Sequence, residues 1–176
     1  VIVVDDGSPL KVKSYLHYLI SKRPNAKYIY LNSKWKKFSL SRTRNNGAYN
    51  ASSDIIIFQD VDFFCTKIMY EKILKKIDQY NMIENPYKFF CIPVAFLTEL
   101  GSDNFLKKFK KNDIRINNFS KDSFKNEELE FIVNGSSCIV CNKNHFLSIG
   151  GQDERFKGHG AEDFELLHRL SNLYPL

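Results

Sequence analysis

Cysteine is scarce in this sequence, four residues in 176, which is too sparse for a fold stapled by disulfides. No apolar run approaches the roughly 20 residues that a membrane helix needs, and the longest, residues 89–97, is interrupted by Pro93. Residues 1–6 pass from apolar side chains straight into two acids, unlike a secretory leader. The glycine loop of P-loop nucleotidases, the glycine fingerprint of dinucleotide-binding folds and the serine elbow of hydrolases are all missing, and no segment repeats. Cys138-Ile139-Val140-Cys141 has the spacing of a zinc or redox pair. On an extended strand, however, residues three apart face opposite ways. Cys65 and Cys91 lie far off in sequence, so the pair reads as small core residues.

What remains is apolar enough to fold: 43% hydrophobic and 14% aromatic, sufficient for a sizeable core in one domain. This is the profile of a soluble, mixed α/β domain from a reducing compartment, and the expected location is the cytoplasm. Lys and Arg exceed Asp and Glu by 26 to 20, a net charge of +6. That surplus suits a polyanion, a membrane surface or anionic substrates, and equally suits drift in a Lys- and Asn-rich composition. Lys107, Lys108, Lys110 and Lys111 around Phe109 read as a solvated helix end.

Residues 1–4 are a continuous β-branched run, expected as a strand buried on both faces. Asp5-Asp6-Gly7-Ser8-Pro9 should turn the chain, with Ser8 capping and Pro9 opening a helix that runs to about residue 23. A second strand follows at 27–31, a helix at 39–53, an apolar strand at 54–59 and an amphipathic helix at 68–80. Residues 89–94 read as one buried strand. From about 96 to 130 the pattern dissolves into a poorly regular insertion. A strand at 136–141, a short helix to 149, a glycine-punctuated loop at 150–160 and a helix at 161–173 close the chain. Such alternation predicts a parallel-type sheet with helices on both faces, and sheets of this kind bind ligands beyond the carboxyl ends of their strands.

Two acidic clusters fall at such ends. In Asp60-Val61-Asp62, after an apolar strand, an extended backbone would point both carboxylates one way, as hard oxygen ligands for Mg²⁺ or Mn²⁺; the alternative is a pair of turn-capping aspartates. Asp5 and Asp6 either line a site or simply end a strand. Arg42 and Arg44, on a helix with Asn45, suit phosphate or an ordinary charged surface. Glu162 and Asp163 open the last helix after Gly158-His159-Gly160-Ala161. They either stabilise its dipole or form a carboxylate pair that binds and deprotonates a hydroxyl.

Together the segments Val3-Val4-Asp5-Asp6-Gly7-Ser8, Ser41-Arg42-Thr43-Arg44-Asn45-Asn46-Gly47 and Ile57-Phe58-Gln59-Asp60-Val61-Asp62, with residues 150–163, resemble the inverting glycosyltransferases of the GT-A fold, family 2 in particular. Residues 150–163 are similar to the galactosyltransferase-type carboxyl motif also found in bacterial chondroitin-polymerase-like enzymes. The resemblance implies a Rossmann-like nucleotide-diphospho-sugar transferase fold, with a mixed, mostly parallel central sheet flanked by helices. It implies one catalytic domain, residues 1–95 binding the nucleotide sugar and 96–176 the acceptor.

By position, Asp5 and Asp6 would hold the uracil of a UDP-sugar, Arg42 and Arg44 would flank the nucleotide and its diphosphate, and Asp60 would contact the ribose or sugar. Asp62, with Asp60, would ligate Mn²⁺ or Mg²⁺. Asp163 would be the general base, its proton affinity raised by the neighbouring acid, with Glu162 binding acceptor hydroxyls. His159 stands where relatives often carry an acceptor-stacking Trp. His168 reads as a solvated or core histidine. Relatives carry an earlier strand and a later metal-ligating His, so the chain reads as clipped at both ends.

The implied partners are a UDP-sugar donor (hexose or N-acetylhexosamine) and a glycan or lipid-linked glycan acceptor, in bacterial capsule or lipopolysaccharide synthesis. Peripheral association with the inner face of the membrane is expected through the basic surface, and no nucleic acid. The alternatives are a sugar-nucleotide nucleotidyltransferase, which lacks its glycine- and arginine-rich signature here, and a non-catalytic glycan- or polyanion-binding domain.

Overall fold

In a computed structural model, residues 1–33, 37–110, 124–133, 138–158 and 160–172 are described. His159, Lys111, residues 136 and 137 of the strand expected at 136–141 and residue 173 of the helix expected at 161–173 lie outside them. The β-branched start forms strand β1 (Ile2–Asp5), paired in parallel with β2 (Lys27–Tyr30) so that Val3 lies opposite Tyr28 and Asp5 opposite Tyr30. Between them runs α1 (Leu10–Ser21). Its N-cap is Pro9, and no side chain caps it. Ser8 instead donates its backbone N–H to Asp5 Oδ1 at 2.8 Å, so the expected Ser8 cap is replaced by an Asp-centred turn. β1 is half-buried rather than buried on both faces, and no residue of α1 is fully buried.

Helix α2 (Leu40–Tyr49) begins at Ser39, whose hydroxyl accepts the Arg42 N–H, and ends at Asn50, short of the expected residue 53. Its buried residues are Ser41, Thr43, Arg44, Asn45 and Ala48, so this helix turns a largely polar face inward. Strand β3 (Ile55–Phe58) and helix α3 (Lys67–Gln79), capped by Thr66, follow expectation. The strand expected at 89–94 is two. β4 (Phe89–Cys91) stops before Pro93, and β5 (Val94–Leu97) resumes after it in a different sheet, since proline cannot donate to a ladder.

The described residues of the supposed insertion, 96–110 and 124–130, are largely regular. The segment holds α4 (Glu99–Lys110), a single 3-10 turn (Asn126–Glu128) and β6 (Leu129–Val133), antiparallel to β5. Polar composition hid the helix, yet a buried carboxylate fixes it. Glu128 accepts Asn104 Nδ2 at 2.7 Å and the Lys125 N–H at 2.9 Å. A Cβ on Gly101 would meet the Glu128 carbonyl oxygen at 2.1 Å, so only glycine permits that approach. Lys107 and Lys108 are exposed on this helix, as expected of its end.

β7 (Ile139–Asn142), buried along its whole length, lies between β3 and β4. It leads through the Asn142 cap into α5 (Lys143–Ser148), and α6 (Glu162–Asn172) closes the described chain. Cys138 and Cys141 are buried, and no cysteine is in a disulfide. Among the described residues no helix is long and apolar enough to cross a membrane.

Two compact units result, Val1–Ile56 with Cys141–Leu176 and Ile57–Val140. The first buries Ala48, Phe146, Leu166 and Leu170, and the second Ile73, Ile77, Met82 and Phe90.

Candidate active site

In the first unit, β1 delivers two acids to a tight turn. Asp5 accepts the Ser8 N–H and, at 2.5 Å, the Tyr28 hydroxyl. Burial pushes its carboxyl up, but these hydrogen bonds outweigh burial and leave it below the usual carboxylate value. The same burial and the Asp5 charge push the Tyr28 phenol up. Asp6 turns toward α2. It accepts the Ser33 hydroxyl at 2.6 Å, the Ser39 N–H at 2.9 Å, and Arg42 Nε and Nη2 at 3.1 and 2.5 Å. Burial again raises its carboxyl, and Arg42, Ser33 and Ser39 together lower it further than burial raises it. Gly7 has φ +93°, and a Cβ there would lie 3.2 Å from Ser33. A carboxylate on the first turn of a helix meets both exposed N–H groups and the positive end of the dipole.

Two residues further along α2, Arg44 pairs with Asp163 of α6. Both are buried, at 7% and 8% exposure. Gln152, from the loop between α5 and α6, donates Nε2–H to Asp163 Oδ1 at 3.0 Å. Gln152 is itself held by Asn45. Its backbone N–H donates to Asn45 Oδ1 at 2.8 Å, and its carbonyl accepts Asn45 Nδ2 at 2.9 Å. Gly151 has φ +67°, and a Cβ on it would stand 2.5 Å from Asn45 Oδ1. The loop returns along α2, where the Gly158 N–H donates to the Phe38 carbonyl at 3.0 Å and Gly158 bridges Ser39 in parallel. Glu162 sits beside Asp163, 5% exposed, with its Oε2 buried and accepting no hydrogen bond from the described residues.

The second unit carries Asp60 and Asp62 beyond β3. The backbone there is not extended. The Phe63 N–H donates to the Asp60 carbonyl at 3.2 Å, closing a turn with Val61 at its tip, 96% exposed. The expected same-facing pair on an extended strand is therefore replaced by two acids on one turn, Asp60 half-buried and Asp62 exposed.

The turn is anchored from behind. Gln59 Nε2 donates to the Phe63 carbonyl at 3.0 Å and Gln59 Oε1 accepts the Tyr70 hydroxyl at 2.7 Å. Phe63 meets Phe96 edge-on, and Phe64 meets Phe105 and Phe109 with centroids 5.1 and 5.4 Å apart. Among the described residues no three His, Cys, Asp or Glu side chains cluster to hold a metal ion. Asp60 and Asp62 are hard oxygen donors that would supply part of a site for Mg²⁺ or Mn²⁺ and would leave its other positions to further oxygens.

The first unit thus brings Asp5, Asp6, Arg42, Arg44, Glu162 and Asp163 onto the framework of β1, α2 and α6. Arg42 is engaged by Asp6, and Arg44 by Asp163. His168 is exposed and close to Asn172, as a solvated histidine. Sequence reasoning missed Gln152, Ser33, Tyr28 and the buried His145, whose imidazole burial pushes below its usual value. Ser39 could have been read as an N-cap, three residues before Arg42. Gln152 gives no local signal, because its partners lie 107 and 11 residues away.

The sequence model of a family described as glycosyltransferase-like family 2 matches residues 1–176. A comparison with curated proteins returned no match.

Proposed function

The chain belongs to glycosyltransferase-like family 2, and from that premise we propose that it moves a hexose or N-acetylhexosamine from a UDP-sugar to a glycan hydroxyl, with inversion. The family implies a glycosyltransferase that takes a nucleotide-sugar donor and an acceptor. The observation that carries the finer reading is the Glu162–Asp163 pair, two buried carboxylates at the start of α6 with Asp163 fixed by Arg44 and Gln152.

The acceptor hydroxyl is a poor nucleophile until its proton is taken. In this reading Glu162, whose Oε2 accepts no hydrogen bond from the described residues, binds an acceptor hydroxyl, and Asp163 takes the proton as the new oxygen–C1 bond forms. The bond from C1 to the diphosphate oxygen breaks in the same step, and its electron pair leaves with UDP. Asp5 and Asp6 shape the turn against which the uracil lies, and Arg42 is held there by Asp6. Asp60 contacts the ribose or sugar and, with Asp62, would hold Mn²⁺ or Mg²⁺; such an ion supplies charge neutralisation for the departing diphosphate. We extend the proposal to a lipid-linked or free glycan acceptor in capsule or lipopolysaccharide synthesis, with the basic surplus of the chain favouring an anionic membrane face.

A donor panel tests this. Thermal shift and calorimetry with UDP-hexoses and UDP-N-acetylhexosamines should give Mn²⁺-dependent binding, and Asp62→Ala should abolish the metal dependence. Equal affinity with and without Mn²⁺, or in the variant, removes Asp62 from the metal site.

A further inference from the structure

We propose that Arg44 and Gln152 are positioning residues for Asp163, fixing its direction and keeping it ionised before the acceptor proton arrives. The proposal rests on the reading of Asp163 as the base. Arg44 on α2 and Asp163 on α6 lie 119 residues apart in sequence and pair inside the first unit, each less than a tenth exposed. Gln152, 1% exposed, adds a second donor to the same Oδ1. Asn45, next to Arg44 on α2, clamps the Gln152 backbone from both sides. One helix therefore grips the carboxylate twice, directly through Arg44 and indirectly through Asn45 and Gln152.

Docking α6 does not require this chemistry. Burying a guanidinium and a carboxylate costs several kcal/mol of desolvation per ion that their attraction only partly returns, and an apolar pair of similar volume often holds two helices as well. A charged, doubly donated carboxylate suits a group whose protonation state and orientation both matter. Among the described residues, the groups at Asp163 include Arg44 from α2, Gln152 from the loop and Glu162 beside it on α6. The cation favours the ionised form and the neighbouring acid opposes it. With Arg44 removed, the cation's favourable influence is lost while the opposing one of Glu162 stays, so the acid limb should move to higher pH. Arg44 is accordingly assigned to the base and not to the donor diphosphate.

pH–rate profiles of the full chain, read as UDP release from the UDP-sugar that binds best in the donor panel with an oligosaccharide acceptor, separate the outcomes. Asp163→Asn should lose transfer while keeping donor binding; a variant that still transfers overturns the base reading itself. With Asp163→Asn inactive, Arg44→Gln should lower kcat ~10-fold or more, leave donor KM within about twofold, and move the acid limb up by about one pH unit. Arg44→Lys should restore part of that shift. Gln152→Met strands no charge, so it decides the matter if Arg44→Gln does not fold. It should lower kcat and move the limb in the same direction by less. Unchanged kcat and limb in the folded variants, or a raised donor KM with kcat intact, overturns the positioning role.

Discussion

The two units present their acids in opposite ways. In the 57–140 unit, Asp60 and Asp62 sit on an open turn held by its backbone and by aromatic side chains behind it. In the other unit, Asp6 and Asp163 are each gripped by an arginine and by further donors. An acid that is to meet a cation and a diphosphate gains from being accessible, and its position can come from the chain that carries it. An acid that is to act in one direction gains from being buried and fixed, and its position must come from partners remote in sequence. For the first kind, a short motif carries both the acid and what positions it. For the second, the motif carries the acid alone.

Stability should separate the two classes most strongly. Removing one partner of a buried ion pair leaves an uncompensated charge, at about 3–5 kcal/mol. Arg44→Met should therefore lower the denaturant midpoint sharply, while Asp62→Asn on the exposed turn should stay within about 0.5 kcal/mol. Equal losses in the two variants would erase the contrast.

Next in size is the loop that carries Gln152. Gly151→Ala forces a positive φ onto a β-carbon that stands 2.5 Å from Asn45 Oδ1, so a loss above about 1 kcal/mol is expected, whereas a neutral result would mean that Asn45 does not clamp the loop.

The smallest effect is electrostatic. Burial lowers the His145 imidazole in the folded state, opposed by a hydrogen bond with the Leu170 backbone. The unfolded chain then takes up the proton first. Stability is fully present above the unfolded value of about 6.5 and declines as pH falls through the lower folded value. Chemical denaturation of the native chain and of His145→Phe from pH 7.5 to 5 should show the native midpoint falling more steeply.

Much of the fold was legible because local signals agreed. β1, β2, β3, α2, α3 and α6 follow from apolar runs and helical periods, and the structure adds the Ser39 and Thr66 caps. Misreadings occurred where a distant partner decides the local structure. α4 looked irregular because its sequence is polar, yet Glu128 and the Gly101 contact fix it from a segment beyond residue 124. Pro93 was visible, but its effect of dividing β4 from β5 depends on β6 offering a second sheet edge.

At the candidate site, the acids Asp5, Asp6, Asp60, Asp62, Glu162 and Asp163 were all nominated from the sequence, because carboxylates at strand ends and helix starts announce themselves. Their partners were not assigned. Nothing near Arg44 in sequence indicates that it lies against Asp163 rather than a phosphate, and nothing near Gln152 marks it as a donor to the same oxygen.

The central claim, that Asp163 is a held base and not merely a structural anchor, is tested most directly by single-turnover transfer in Asp163→Asn with donor affinity measured in the same samples. The account predicts near-native UDP-sugar affinity with transfer slowed by about 10²–10⁴-fold. Transfer at the native rate with donor bound would contradict it.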